Sequence, residues 1–280
     1  MGRSFSTVKH VLKLTLQCTR CLIRCKTYLA CVSHSAFGKT VKFKRILSPI
    51  GYRCESTLSS EDKIKKFIIE NTEVVGDHTT PEIRLRLFTP NCRFWYARPE
   101  LWPFSDPYWA IYWPGGQALA RYLLDNPGVT KDKKVLDLGS GCGASSIAAR
   151  LSGASQVLAN DIDPVATIAT TLNCELNGVK PFPVVSKNLI GTKPENWDLI
   201  LLGDMFYEEQ LADILHSWLR ECIRTHRTQV LIGDPGRAQF EGHTIRKRLQ
   251  KLAEYQLPDS VREQNYGLTA STVWRYEPLA

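Results

Sequence analysis

Two short stretches of the 280-residue chain carry residue types whose spacing suits chemistry on a nucleotide. Residues 135–143 read VLDLGSGCG, three glycines directly after an apolar run. Glycine lets a backbone approach a ligand where a Cβ would collide, and the amides at the start of a following helix face that ligand. Asp161 lies 22 residues beyond Gly139, at the end of the next apolar run. An acid there can accept hydrogen bonds from both hydroxyls of a ribose. Residues 203–207 (GDMFY) place an acid and an aromatic residue three apart after a later apolar run. The pattern alone leaves the nucleotide open, because Gly139-x-Gly141-x-x-Ala144 also satisfies the loose dinucleotide fingerprint. Asp137 argues against that alternative: it would repel a diphosphate, whereas it could orient an ammonium group. No second catalytic domain is expected, no Ser/His/Asp or Cys/His hydrolytic set is apparent, and no metal site is expected.

These residues need a scaffold, and the surrounding pattern supplies one. Short apolar strands are expected at 133–138, 156–160, 182–186, 197–202 and 228–232, with helices at about 143–152, 164–177, 208–225 and 238–255. Strands buried on both faces and separated by helices imply a parallel, doubly wound sheet. Two further strands, around 257–263 and 271–276, joined by a glycine-containing turn at 265–267, would add an antiparallel β-hairpin. Upstream, 59–71 reads as a helix capped by Ser60, with Ile64, Phe67 and Ile68 as its apolar stripe. Residues 81–89 alternate apolar and charged, as a half-exposed strand does. Residues 91–114 are dense in aromatic residues and broken by prolines, which suggests an aromatic wall over a pocket.

The formal charge of +8 is concentrated at the start of the chain. Residues 1–54 hold 11 Lys and Arg and no acid, leaving 25 basic against 28 acidic residues in the remainder. That remainder has no basic field to hold a phosphate backbone, so no nucleic-acid partner is expected. No run of 18 apolar residues suggests a membrane span. The acid-free, Ser/Thr-containing start reads as a mitochondrial transit peptide. It is assigned to residues 1–38, with cleavage between 25 and 45. An N-terminal extension (39–115) and a nucleotide-binding domain (116–280) would follow. Five of nine cysteines lie in residues 1–54, and the pair Cys18 and Cys21 lacks the partners of a zinc finger. Cys92, Cys142, Cys174 and Cys222 read as reduced core thiols.

The turn at 135–143, Asp161 and the closing hairpin together resemble the seven-β-strand S-adenosylmethionine-dependent methyltransferases. Asp204-x-x-Tyr207 is similar to the Asp-x-x-Tyr/Phe motif of their protein-lysine methyltransferase branch, and residues 112–116 (YWPGG) to its Trp-Pro segment. Residues 158–164 (LANDIDP), 172–177 (LNCELN) and 231–237 (LIGDPGR) extend the similarity over roughly 58–276. The resemblance implies a doubly wound, mostly parallel Rossmann-like sheet of seven strands, with S-adenosylmethionine as cofactor. It implies a mitochondrial matrix enzyme acting as a monomer on lysines of a protein partner, the electron transfer flavoprotein β subunit. By the same resemblance Gly139, Ser140 and Gly141 contact the methionine part of the cofactor. Asp161 holds the ribose, Ile162 lies against the adenine, and Asn188 and Leu189 bind it further. Relatives often carry an acid and a Trp at those last two positions, so this chain departs from them there. Trp113 covers the cofactor, Gly203 sits beside the sulfonium, and Asp204 and Tyr207 face the incoming lysine. Two other classes compete: an amino-methylating enzyme of nucleic acids, whose Asp-Pro-Pro-Tyr tetrad lacks its prolines here, and a catalytically silent cofactor-binding assembly factor.

Overall fold

The computed structural model describes residues 59–97, 101–103, 107–265 and 267–277. The leader and its cysteine pair lie outside these residues. The described residues from Ser60 onward pack as one compact unit.

The sheet has seven strands in the order β5-β4-β3-β6-β7-β9-β8. They are β3 (Lys134–Leu138), β4 (Gln156–Asn160), β5 (Val184–Val185), β6 (Leu199–Gly203), β7 (Gln229–Asp234), β8 (Leu249–Gln256) and β9 (Ala270–Tyr276). Strands β3 to β7 run parallel, and β9 inserts antiparallel between β7 and β8. The fold class expected from the sequence is therefore the one observed.

Strand residues alternate between the two faces of the sheet, and the two apolar clusters follow that alternation. Val135, Leu199, Leu201 and Leu231 face one cluster with Leu119, Leu123 and Ile147. These last three come from α2 (Pro114–Asp125) and α3 (Ala144–Leu151). Leu136, Leu138, Ile200, Leu202, Val230 and Ile232 face the other, with Leu215, Trp218 and Leu219 of α5 (Glu209–His226). Asp137 shares the face of Val135, which directs it at α3.

A third cluster joins the N-terminal elements to α4 (Pro164–Leu176). Ile68 of α1 (Ser60–Asn71), Phe88, Trp109 and Ala110 meet Val165, Ala166, Ala169 and Leu172. Ser60 is the first helical residue of α1 rather than a cap before it. Strands β1 (Glu73–Val75) and β2 (Leu85–Leu87) form a small antiparallel ladder. The backbone amides of Arg84 and Arg86 donate to Asn177 and Asn173, fastening β2 to α4. Trp109 is buried against this helix, and Trp102 meets Phe88 edge to face. Much of the aromatic segment therefore builds core; Tyr108 and Trp113 remain at the sheet's carboxyl edge.

Two expectations near the C-terminus are corrected. Residues 238–255 are not one helix: α6 (Ala238–Gly242) and a 3-10 turn (Thr244–Arg248) lead into β8. The strand expected at 257–263 is instead Leu257, Pro258 and the short helix α7 (Asp259–Gln264), so β8 and β9 are joined by a longer, partly helical connection than a tight hairpin. The cause is local. A register shift between Lys251 and Ala253 breaks the period of two in β8. Its half-covered residues Leu249, Leu252 and Tyr255 then recur every three positions, as on a helix.

The first turn of α2 lies directly on the ends of β6 and β7. A Cβ on Gly233 would fall 2.0 Å from the Gly115 carbonyl oxygen, and one on Gly115 would fall 2.1 Å from that of Gly233. Gly233→Ala should thus force the helix from the sheet and cost about 1–3 kcal/mol, the range for overpacking. Urea unfolding should read this as a lower midpoint with an unchanged slope.

Candidate active site

The sheet's strand order reverses beside β3, and ligands of such sheets sit at the carboxyl ends of the strands there. The glycine turn leaves β3 at this point. Gly139, Gly141 and Gly143 all have positive φ (72°, 52° and 82°), which side chains disfavour. The amides of Gly139 and Ser140 donate to the Asn160 carbonyl at 2.8 and 2.9 Å, tying the turn to the end of β4. Asn160 also donates from its side chain to the carbonyls of Val185 and Lys187, which holds the next loop in place.

Asp161 is the hinge of this cradle. One carboxylate oxygen accepts the Gly141 amide at 2.9 Å and the other the Asp163 amide at 3.0 Å. Burial raises its pKa above the usual carboxylate value. Each carboxylate oxygen can accept two hydrogen bonds, so each retains a position for one ribose hydroxyl. Ile162 is 70% exposed beside it, an apolar face open for a flat ring. The Ser140 hydroxyl is buried in the turn without a partner. An acceptor pair, an unsatisfied hydroxyl and a side-chain-free turn fit the nucleoside and amino-acid ends of S-adenosylmethionine.

Asp137 is buried and accepts the Ser146 hydroxyl at 2.6 Å. Burial pushes its pKa up to about 6. Its raised folded value means that its protonated form stabilises the fold. That contribution is complete below the unfolded value of 3.8 and is lost as pH rises through about 6. Asp137→Asn should remove the slope, so the wild type loses roughly 3 kcal/mol relative to the variant between pH 3.5 and 7.5. Urea midpoints of both proteins across that window measure it.

The remaining expected adenine contacts separate. Leu189 is buried in the core with Leu136 and Leu138, while Asn188 is exposed and its side chain accepts the Ile190 amide. Gly203 ends β6 with no space for a side chain, because a Cβ would fall 2.9 Å from Gly116 Cα.

Asp204 follows in the left-handed region, φ 57°, a conformation that only Gly, Asn and Asp adopt readily. This turns its carboxylate back beneath α2, where it is only 6% exposed. One oxygen accepts the amides of Gly115 and Gly116, the first turn of α2. The other accepts Nε of Arg237 at 3.0 Å and its Nη2. Asp204 thus serves the N-terminus of α2; α5 is capped by Glu208, which accepts the amides of Gln210 and Leu211. Phe206 is core, whereas Tyr207 is 49% exposed at the rim. Trp113 is half-buried; its indole donates to the Tyr108 carbonyl, and the Arg237 guanidinium lies 5.5 Å from its ring centre.

The structure therefore gathers Asp137, Gly139, Ser140, Gly141 and Asp161 around one cradle, with Gly203 and Asp204 beside it. A Cβ on Gly139 would fall 2.3 Å from Met205 Sδ. That distance places the 203–207 segment directly against the turn. Sequence reasoning missed Arg237 and Asp234, which sit in the Gly-Asp-Pro-Gly-Arg run that ends β7 and leaves it. Acid and glycine at a strand's carboxyl end were the available signal.

Residues 117–227 match the family model of ribosomal protein L11 methyltransferase (PrmA). The chain is 69% identical over 225 residues to the electron transfer flavoprotein beta subunit lysine methyltransferase of Danio rerio, covering 80% of this chain and 87% of that one. Its counterpart from Homo sapiens is 62% identical over 219 residues, 78% of this chain and 84% of the relative. The Caenorhabditis elegans homolog is 38% identical over 229 residues, 75% and 94% respectively. With 69% identity over four fifths of the chain, the chain belongs to the electron transfer flavoprotein beta subunit lysine methyltransferase family.

Proposed function

We propose that this chain transfers methyl groups from S-adenosylmethionine to lysine side chains of the electron transfer flavoprotein β subunit. The observation that carries this reading is the contact between the two halves of the crevice: the glycine turn that cradles the donor abuts the Asp204–Tyr207 segment through Met205. The cofactor supplies a methyl carbon already activated by a positive sulfur. The chain's own task is to align an amine with that carbon and to exclude water.

Gly139, Ser140, Gly141 and Asp161 hold the donor, with Asp137 near its amino-acid end and Ile162 against its base. Trp113 and Tyr207 give the amine an apolar, aromatic approach. A free lysine has a pKa near 10.4, so only roughly one in a thousand is neutral at pH 7.5. An apolar lining lowers that value, and the departing proton goes to water. Asp204, its four acceptor positions filled by the Gly115, Gly116 and Arg237 donors, acts on the nitrogen through its charge and by fixing the first turn of α2, while Tyr207 stands at the rim. The reading includes a mitochondrial matrix location, supported by the acid-free, Lys/Arg-rich start of the chain.

The test is incubation of the full chain with methyl-labelled S-adenosylmethionine and purified electron transfer flavoprotein, followed by mass mapping. Label recovered as methyl-lysine in the β subunit supports the reading. Label confined to added mitochondrial RNA would transfer the chain to the nucleic-acid class, and donor binding without any transfer would make it a silent binder.

A further inference from the structure

Arg237 is placed by a chain of contacts that begins at the end of β7. Asp234 is buried, and one of its oxygens accepts the amides of Gly236 and Arg237 at 2.7 and 2.8 Å. Gly236 has φ 95°, which reverses the chain at once. The Arg237 side chain is thereby returned over the carboxyl edge of the sheet. There its Nε and Nη2 converge on a single oxygen of Asp204, leaving the other oxygen to the Gly115 and Gly116 amides. Its guanidinium carbon lies over the Trp113 ring, 5.5 Å from its centre. The second oxygen of Asp234 is buried without a partner. Burial, followed by the nearby Asp204 charge, pushes the Asp234 carboxyl up to about 7.

We propose that Arg237, aimed by Asp234, is a positioning residue for methyl transfer: it locks and neutralises Asp204 and holds Trp113 beside it, so that the amine meets a paired carboxylate. This rests on the lysine-methyltransferase reading above. A bare carboxylate beside the amine would favour the ammonium form, which has no lone pair to attack with. A guanidinium on the same carboxylate cancels most of that field at short range. It also fixes the rotamer of an acid whose two oxygens serve different partners. Lysine could not replace it, since an ammonium offers one compact charge and no plane to lie over an indole.

The test compares the full-length wild type with Arg237→Ala, Arg237→Lys, Asp204→Ala and the Asp204→Ala/Arg237→Ala double variant, all on the flavoprotein substrate. Arg237→Ala should lower kcat by about 10²-fold, the size of effect that a misplaced group produces, with little change in the KM for S-adenosylmethionine. Added methylguanidinium should restore a large part of the loss, which repair of a merely structural defect would not do. In the double variant, loss of Arg237 should add nothing to loss of Asp204, because one acts through the other. Should Arg237→Ala fail to fold, Arg237→Lys decides: an unchanged melting temperature with at least about tenfold lower kcat is expected. Full activity in either variant, or a double variant slowed by the product of the two single effects, would overturn the proposal. A wild type that fails to label the β subunit counts against the methyltransferase reading instead, so the two failures are distinguishable.

Discussion

Asp204→Ala is expected to lower kcat for lysine methylation by about 10²–10³-fold, the range seen when one preorganised polar group is removed from a reacting centre. Three consequences of the geometry combine. The first turn of α2 loses the acceptor for two amides, so Trp113 at its start is held less firmly. Arg237 keeps its charge in a half-buried position without its carboxylate, which is the costly way to break an ion pair. The amine loses the paired carboxylate beside its approach. Asp204→Asn separates these effects. An amide has one acceptor oxygen where the carboxylate has two, so it can satisfy the helix amides or the guanidinium but not both. Its kcat should therefore fall nearly as far as that of the alanine variant, while its folding stability stays closer to wild type. Initial rates at saturating donor, with urea unfolding of each variant, check the pair of expectations. An Asp204→Ala enzyme with wild-type kcat would remove this residue from the mechanism.

The second large effect falls on donor binding. Asp161→Ala should weaken S-adenosylmethionine by about 10²–10⁴-fold. Each of two ribose hydroxyls donates to a charged acceptor, and such bonds contribute about 1.5–3 kcal/mol apiece. The variant also frees the Gly141 amide, so the glycine turn loses one of its three ties to the end of β4. Asp161→Asn should sit between the two proteins, because its oxygen can still take the Gly141 amide while its NH2 opposes the Asp163 amide. Calorimetric titration of the full-length proteins measures this. The loss should appear in Kd for the donor, and kcat at saturating donor should fall far less. An alanine variant that binds the donor as tightly as wild type would place the ribose elsewhere.

What the sequence made legible was what is local in it. The glycine turn and Asp161 lie on adjacent strand ends of a regular β-α-β unit, so spacing alone brings them together. The alternation of apolar runs with amphipathic helices settled β3, β4, β6, β7 and the helices between them. Strand β8 was hidden because a bulge altered its period, and edge residues such as Gln250, Lys251 and Glu254 resemble a solvated helix face. The partners of Asp204 were hidden for another reason. Gly115 precedes it by 89 residues and Arg237 follows by 33, and only the crossover order of the sheet unites them. The Gly115–Gly116 pair showed in the sequence only as the end of the YWPGG segment. Its reason is close approach, since both the carbonyl of Gly233 and the carboxylate of Asp204 occupy the space a Cβ at Gly115 would need.

Photochemical cross-linking of methyl-labelled S-adenosylmethionine to the full-length protein, followed by peptide mapping, tests most directly where the donor sits. Label should fall on the peptides that contain residues 139–143, 161–163 or 203–207, and excess S-adenosylhomocysteine should abolish it. Competable label confined to peptides away from the carboxyl edge of the sheet would contradict the placement of the donor, and with it the roles derived for Asp161, Asp204 and Arg237.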